Sequence, residues 1–273
     1  MIERRYETAS GAIRYWRSRC EGAATLVFLP GLTADRRLFE RQIAFFEGRC
    51  GLLVWDAPGH GRSRPFALDF SLMDEAAWLR GILEREGITA PVLVGQSMGG
   101  YVAQCFLERY PGAARGFVAI DSAPLQRKYV TRAELWALRH CEPLYRWYPW
   151  EALRRSGANG CAETEYGREL MRRMMDSYSR AEYIALAGHG YRMLAAAMAA
   201  DLGYRIDCPA LLLCGERDRA GSTRRYNRRW AEETGLPLVW IAGAGHNANT
   251  DSPQRVNGLI RQFLLEHGLC RAG

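Results

Sequence analysis

The sequence is short of lysine, although it is rich in arginine. Lys128 is the only lysine, and the formal net charge is +7. A clustered excess of this size would suit an acidic partner such as a nucleic acid or a membrane surface. The arginines are instead spread along the chain with acidic residues between them. We therefore expect neither a nucleic acid nor a membrane as a partner.

Paired cysteines and long apolar runs are also missing. None of the eight cysteines forms a Cys-x-x-Cys pair, and no group of His, Cys and acidic residues has the spacing of a metal site. The glycines of residues 58–62 lack the Gly-Lys-Ser/Thr that completes a phosphate-binding loop. We therefore expect no metal and no cofactor. No apolar stretch reaches the roughly 20 residues that span a bilayer, and residues 1–11 lack the apolar core of a secretory signal, so we expect a reduced, cytoplasmic protein.

What the sequence does contain is an alternation of strand-like and helix-like segments. Two short segments meet at Ser10-Gly11 and predict a hairpin. The later strand candidates are continuous apolar runs, which are typical of parallel strands covered on both faces. This pattern predicts an α/β fold, in which a mainly parallel sheet is flanked by helices. The six later runs begin at Thr25, Leu52, Pro91, Gly116, Ala210 and Pro237.

The alternation stops between residues 125 and 205. This stretch has helical patterns only, and it holds more than half of the tyrosine and tryptophan of the chain. A long insertion in a compact domain is often a lid over a binding site, although an extra layer packed away from any site is the alternative. We predict an α/β core formed by residues 1–124 and 206–273, with residues 125–205 as a helical cap.

The strongest chemical signal is Gly-Gln-Ser-Met-Gly at residues 95–99. It follows an apolar strand and precedes an amphipathic helix, which is the context of a nucleophile elbow. The tight turn needs small flanking residues, and it presents the Ser97 hydroxyl at a helix N-terminus, where the dipole favours a developing anion. We predict Ser97 as a nucleophile. The N–H of Met98 and the N–H of Leu32, in the loop after the third strand, are the predicted oxyanion donors.

A serine nucleophile needs a base and a group that orients this base. His246 follows the last predicted strand, and Asp218 directly follows the strand before it. The chain order Ser, Asp, His is the order found in this architecture. Asp121, at the end of the preceding strand, is the rival for the acid. Structural roles are expected for the other histidines, which are His60, His140, His189 and His267. Contact with the substrate is the alternative for His140 and His189, because both belong to the insertion described above.

Five segments together resemble the signature segments of the α/β-hydrolase superfamily. They are FLPGLTADRRLF, WDAPGHGRS, GQSMGG, CGERD and GAGHNANTDSP. The resemblance implies a mostly parallel eight-stranded sheet with a helical cap inserted after strand 6. It also implies a triad of Ser97, Asp218 and His246, with Leu32 and Met98 as the oxyanion hole. Pro30 departs from the pattern, because many relatives have histidine there.

The resulting prediction is a serine hydrolase that cleaves a small or medium carboxylic ester through an acyl-serine intermediate. The same triad also suits a carbon–carbon bond hydrolase, a cofactor-free lyase or an acyltransferase, and a ligand-sensing protein is a further alternative. Cap arginines that hold a substrate carboxylate would favour these other enzymes; the candidates are Arg127, Arg132, Arg139 and Arg146. The expected partner is a small-molecule substrate, and the expected state is a monomer or a homodimer.

Overall fold

A single eight-stranded sheet organises the computed structural model, which describes residues 1–20 and 22–270. The strand order is β1-β2-β4-β3-β5-β6-β7-β8. The β1–β2 and β2–β4 pairs are antiparallel, and the other five pairs are parallel, which confirms the predicted sheet. The strands are β1 (Ile2–Thr8), β2 (Gly11–Ser18), β3 (Thr25–Leu29), β4 (Gly51–Trp55), β5 (Val92–Gln96), β6 (Gly116–Ile120), β7 (Ala210–Gly215) and β8 (Leu238–Ile241).

Helices connect these strands and cover both faces of the sheet. Apart from short 3₁₀ turns, the described residues form α1 (Glu40–Phe46), α2 (Leu72–Arg85), α3 (Met98–Arg109), α4 (Arg132–His140), α5 (Glu142–Trp147), α6 (Trp150–Cys161), α7 (Glu165–Met175), α8 (Arg180–Ala200), α9 (Thr223–Thr234), α10 (Ala248–Asp251) and α11 (Pro253–Glu266).

Burial of the central strands explains their continuous apolar sequences. Every residue of β4, β5, β6 and β7 is buried. One face of the sheet packs with α2 and α3, through side chains such as Leu79 and Phe106. The other face packs with the α1 and α11 side, through side chains such as Phe39 and Ile260. Each strand therefore has two apolar faces to cover, and helices supply the cover on both sides.

The helical insertion falls between β6 and β7, which is the predicted position after strand 6. Its longest helix, α8, packs against α2 and α3. A Cβ added to Gly190 in α8 would lie 2.4 Å from the Leu32 side chain. The insertion thus reaches the loop that follows β3, at the edge of the sheet where the parallel strands end. Among the described helices, none is long and apolar enough to cross a membrane.

Candidate active site

Ser97 occupies a sharp turn between β5 and α3. Its backbone lies at φ 48° and ψ −116°, and its N–H donates to the Ile120 carbonyl over 2.9 Å. Such a conformation is costly for a residue with a side chain, and it persists only when the surrounding structure fixes it. Close packing also restricts the residue type near Ser97, because a Cβ on Gly99 would lie 1.9 Å from the Leu29 carbonyl oxygen. The elbow thus depends on glycine at a position where the helix touches β3.

Two loops bring a histidine and an aspartate to this serine. His246 Nε2 lies 2.9 Å from Ser97 Oγ, and His246 Nδ1 lies 3.0 Å from Asp218 Oδ2. The side chain of Asp218 is fully buried, and its Oδ1 accepts the Ala220 N–H over 2.7 Å. Nδ1–H donates to the carboxylate in the tautomer that leaves Nε2 free to accept the serine proton. The structure thus brings together the three residues predicted as nucleophile, base and orienting acid.

The electrostatics of His246 follow from its neighbours. Burial by itself would lower the pKa of this imidazole, because it disfavours the charged form. The Asp218 carboxylate outweighs burial through its charge and hydrogen bond, and Asp121 adds to it, so that the pKa of His246 lies above its ordinary value of 6.5. The same carboxyl groups that raise this pKa stabilise the protonated form of the imidazole.

Asp121, the rival for the orienting acid, has a different set of partners. Its Oδ1 accepts the Gly215 N–H over 2.7 Å, and its Oδ2 accepts the Ala248 N–H over 2.9 Å. Burial and the nearby Asp218 raise the pKa of Asp121 well above its usual range. Its two hydrogen bonds join β6 to the ends of the loops that carry Asp218 and His246. Asp121 is therefore placed to hold these loops, whereas Asp218 contacts the imidazole.

Metal-ligand chemistry does not fit this acidic cluster. Asp121, Cys214 and Asp218 are the described group whose ligand atoms lie within 4.8 Å of one another. The two Asp121 oxygens already accept backbone N–H groups. Burial, with Asp121 and Asp218 nearby, raises the pKa of the Cys214 thiol, so the thiol stays protonated instead of becoming a thiolate ligand. The three groups form part of the hydrogen-bonded frame of the site.

The predicted oxyanion donors lie beside the serine. Met98 is the first residue of α3, and Leu32 lies in the loop after β3. A Cβ on Gly31 would lie 3.2 Å from the Ser97 Cβ, so this loop directly adjoins Ser97. Within the described part of the chain, neither the Leu32 N–H nor the Met98 N–H donates to a protein acceptor. Both donors are available for a substrate oxygen.

Three contacts with the His246 loop have no signal in the sequence. The Gln96 side chain donates to the His246 carbonyl over 2.8 Å, and the Asn247 N–H donates to the Cys161 carbonyl over 2.7 Å. Asp251 Oδ2 accepts the Gly245 N–H over 2.8 Å. These partners are distant in sequence or have ordinary side-chain types, so neither spacing nor residue type could have indicated them.

The other histidines lie outside the hydrogen-bonded set of Ser97, His246 and Asp218. His60 is buried, its Nδ1 lies 2.9 Å from the Pro58 carbonyl, and burial lowers its pKa to about 4. The ring of His189 packs against Phe70 with 4.7 Å between centroids, and burial lowers its pKa as well. His140 stacks on Trp136 at an exposed position of the cap. These environments suit packing and loop stabilisation.

The four arginines considered as ligands for a substrate carboxylate are either paired with other protein groups or exposed on the surface. Arg127 donates to the Val130 carbonyl, and Arg146 pairs with Glu142 over 2.7 Å. Arg132 and Arg139 lie on the exposed surface of α4. In the described structure, none of the four therefore presents a buried, unpaired guanidinium for a substrate carboxylate.

Comparison with known proteins gives the same architecture. The model of the alpha/beta hydrolase family matches residues 26–259. Among curated proteins, the chain is 30% identical over 256 residues to the 2-succinyl-6-hydroxy-2,4-cyclohexadiene-1-carboxylate synthase of Citrobacter koseri, covering 89% of this chain and 94% of the relative. The same enzyme of Pectobacterium atrosepticum is 29% identical over 259 residues, covering 88% and 93%.

Solved structures show the same fold at lower sequence identity. The enol-lactonase from Burkholderia xenovorans superposes with a TM-score of 0.75 at 20% identity, covering 96% of this chain and 100% of that chain. A thermophilic esterase from Thermogutta terrifontis also gives a TM-score of 0.75, at 21% identity, covering 98% and 99%. Identities this low support the fold and leave the reaction to be argued from the site.

Proposed function

The chain belongs to the α/β-hydrolase family, and from this premise we propose that it is a serine hydrolase of small or medium carboxylic esters. The observation that carries the proposal is the continuous hydrogen-bonded series from Ser97 through His246 to Asp218, with distances of 2.9 and 3.0 Å. A serine hydroxyl is a weak nucleophile, and an adjacent base that is itself oriented by a carboxylate activates it.

The geometry supports a two-step reaction. His246 Nε2 takes the proton of Ser97 Oγ as this oxygen attacks the ester carbonyl carbon. The resulting oxyanion lies near the N-terminus of α3, where the N–H groups of Leu32 and Met98 are available to bind it. His246 then gives the proton to the departing alcohol, which leaves an acyl group on Ser97. A water molecule, deprotonated by the same imidazole, releases the acid and restores the serine.

A lyase, carbon–carbon bond hydrolase or acyltransferase reaction is the second candidate. The relatives that favour it are named as synthases of a carboxylate product. The four arginines of the insertion are paired with other protein groups or exposed, so they offer no buried positive charge for a substrate carboxylate. This favours an uncharged ester instead. Turnover in water labelled with ¹⁸O distinguishes ester hydrolysis from elimination and from acyl transfer, because ester cleavage through an acyl-serine places one labelled oxygen in the released acid. A carbon–carbon bond hydrolase would label its acid as well, and it is distinguished by its second product, which gains a C–H bond where an ester releases an alcohol. An elimination would release its products without this label.

Turnover of p-nitrophenyl acetate and butyrate tests the proposal. We expect the wild type to release p-nitrophenol with an initial burst, because acylation precedes the slower deacylation. Ser97→Ala should lower the rate by about a thousandfold or more. Ser122→Ala is the matched control, since Ser122 is buried beside Gly100 and its hydroxyl makes no hydrogen bond in the described structure. Equal rates for the wild type and Ser97→Ala would exclude the proposal.

The assignment of residues 125–205 as a substrate-covering cap belongs to the same proposal. The Gly190 contact with Leu32 supports it, because α8 thereby lies against the residue that carries a proposed oxyanion donor. A small-molecule substrate in the space between cap and core is the expected partner. A cytoplasmic location and a monomeric or homodimeric state remain predictions from the sequence.

A further inference from the structure

The end of α6 and the start of α7 in the cap contact the loop that carries His246. We call residues 161–164 the brace segment. Its Cys161 carbonyl accepts the Asn247 N–H over 2.7 Å. On the other side of His246, the Gly245 N–H donates to Asp251, whose carboxylate also binds the brace segment. Both chain neighbours of His246 are thus tied to the cap, one directly and one through a carboxylate.

Asp251 is the centre of this connection. Its Oδ2 accepts the N–H groups of Gly245 and Glu163 over 2.8 and 2.9 Å. Its Oδ1 accepts both the backbone N–H and the hydroxyl of Thr164, over 2.9 and 2.8 Å. A carboxylate that accepts four donors makes charge-assisted hydrogen bonds, which are stronger than those between neutral groups. An amide in its place would put an NH₂ group against two of these donors, because each oxygen accepts two.

The brace segment also faces the loop that carries Asp218. The Glu163 carboxylate lies 3.9 Å from Arg217 and 3.8 Å from Arg219, the two residues that flank Asp218. The Glu163 side chain is 17% exposed, whereas those of Arg217 and Arg219 are 61% and 73% exposed, so water screens both pairs substantially. One short segment of the cap therefore contacts both of the loops that must meet to form the His246–Asp218 hydrogen bond.

We propose that Asp251 is a positioning residue for His246, which it holds against Ser97 and Asp218 by tying the His246 loop to the docked cap. The sheet holds this loop from below through Gln96 and Asp121, and Asp251 holds it from the cap side. The geometry of the base then depends on the cap as well as on the core. Misplacement of a reacting group by about 1 Å can cost about a hundredfold in rate, so a small loosening is measurable.

The inference rests on the proposed role of His246 as the base, and the test therefore has a readout besides activity. The readout is the downfield proton resonance of the hydrogen bond between His246 Nδ1–H and Asp218. Asp251→Asn should weaken or abolish this resonance. It should also lower kcat by about tenfold or more, while KM changes by less than about threefold. Here kcat is calculated per serine that a fluorophosphonate labels. Labelling is run to completion, so that a folded site with a misplaced base, which reacts more slowly, is still counted and only unfolded protein is left out.

Asp201→Asn is the matched control. Asp201 also accepts a backbone N–H at the base of the cap, from Arg127 over 2.9 Å, and among the described residues it makes no hydrogen bond with the brace segment or the His246 loop. The same substitution there should leave the resonance and kcat unchanged. An unchanged resonance with kcat within about twofold in folded Asp251→Asn would overturn the inference, as would equal losses in Asp201→Asn.

A second variant covers the case in which Asp251→Asn does not fold. Thr164→Val removes one of the four donors to Asp251, the Thr164 hydroxyl, and keeps the backbone N–H that also donates to it. We expect a smaller loss in the same two readouts, and no change in either would overturn the inference. If the wild type neither labels nor turns over an ester, the proposed function fails, while the resonance still reports whether Asp251 positions His246.

Discussion

At the scale of single residues, the roles of the two candidate acids differ because their oxygens have different partners. Asp218 gives one oxygen to the imidazole, and both Asp121 oxygens accept backbone N–H groups. We predict that Asp218→Asn lowers kcat by about 10³- to 10⁴-fold, because the amide no longer stabilises the required tautomer and the imidazolium. Ester turnover measured beside the thermal melting curve checks this. A loss below about tenfold would contradict the role given to Asp218.

The raised pKa of His246 sets the expected dependence of the reaction on pH. The charged groups that face the imidazole are Asp218 and Asp121, and both raise the pKa of His246. Because the base must be neutral, kcat/KM should fall as the pH falls through this pKa, with the midpoint above 6.5. Asp218→Asn removes one of these charges and should move the midpoint to lower pH. A midpoint below 6.5 in the wild type would contradict the prediction.

At the scale of elements, close packing between α3 and β3 makes one glycine of the elbow indispensable. A Cβ on Gly99 would overlap the Leu29 carbonyl oxygen, which belongs to the backbone and has no side-chain freedom to move away. We predict that Gly99→Ala abolishes ester turnover and lowers the melting temperature sharply. Circular dichroism melting with an activity assay measures both effects. Unchanged melting would show that the two elements can separate.

Gly160→Ala is the matched control for that substitution. Gly160 lies within α6, and an added Cβ there would have no atom within 4 Å. Alanine is the better helix former, so the variant should be more stable than the wild type by roughly 0.5–1 kcal/mol in its free energy of unfolding. Denaturant unfolding measures this difference. Comparing the two variants separates the effect of replacing glycine by a less flexible residue from the effect of steric overlap, because only Gly99→Ala places its Cβ against another atom.

At the scale of the whole molecule, a buried carboxyl group makes stability depend on pH. Burial in α2, with a contribution from Asp74, raises the pKa of Glu75 from 4.5 to about 8. Between these values the folded state binds more protons than the unfolded state, so the free energy of unfolding falls as the pH rises from about 4.5 to about 8. We predict that Glu75→Gln flattens this dependence and raises the melting temperature at pH 9. A lower melting temperature there would contradict it.

The sequence by itself determined the sheet, the nucleophile elbow and the chain order of the candidate residues. Continuous apolar runs indicate strands with two covered faces, and small residues around Ser97 indicate a turn too tight for side chains; both signals are local. His246 and Asp218 could be chosen because loops that follow parallel strands end at the same edge of a sheet. The eight strand candidates and the insertion at residues 125–205 also came from these patterns, and the family resemblance implied the same arrangement.

Only the tertiary structure decided which aspartate contacts His246 and how the cap meets the site. Asp121 and Asp218 both follow strands, so the choice depends on loop paths that no spacing reveals. Three of the four hydrogen bonds of Asp251 come from residues that are 87 or 88 positions away in the chain. Contacts of this kind arise when the cap docks, and their partners are ordinary backbone groups that carry no signal in the sequence.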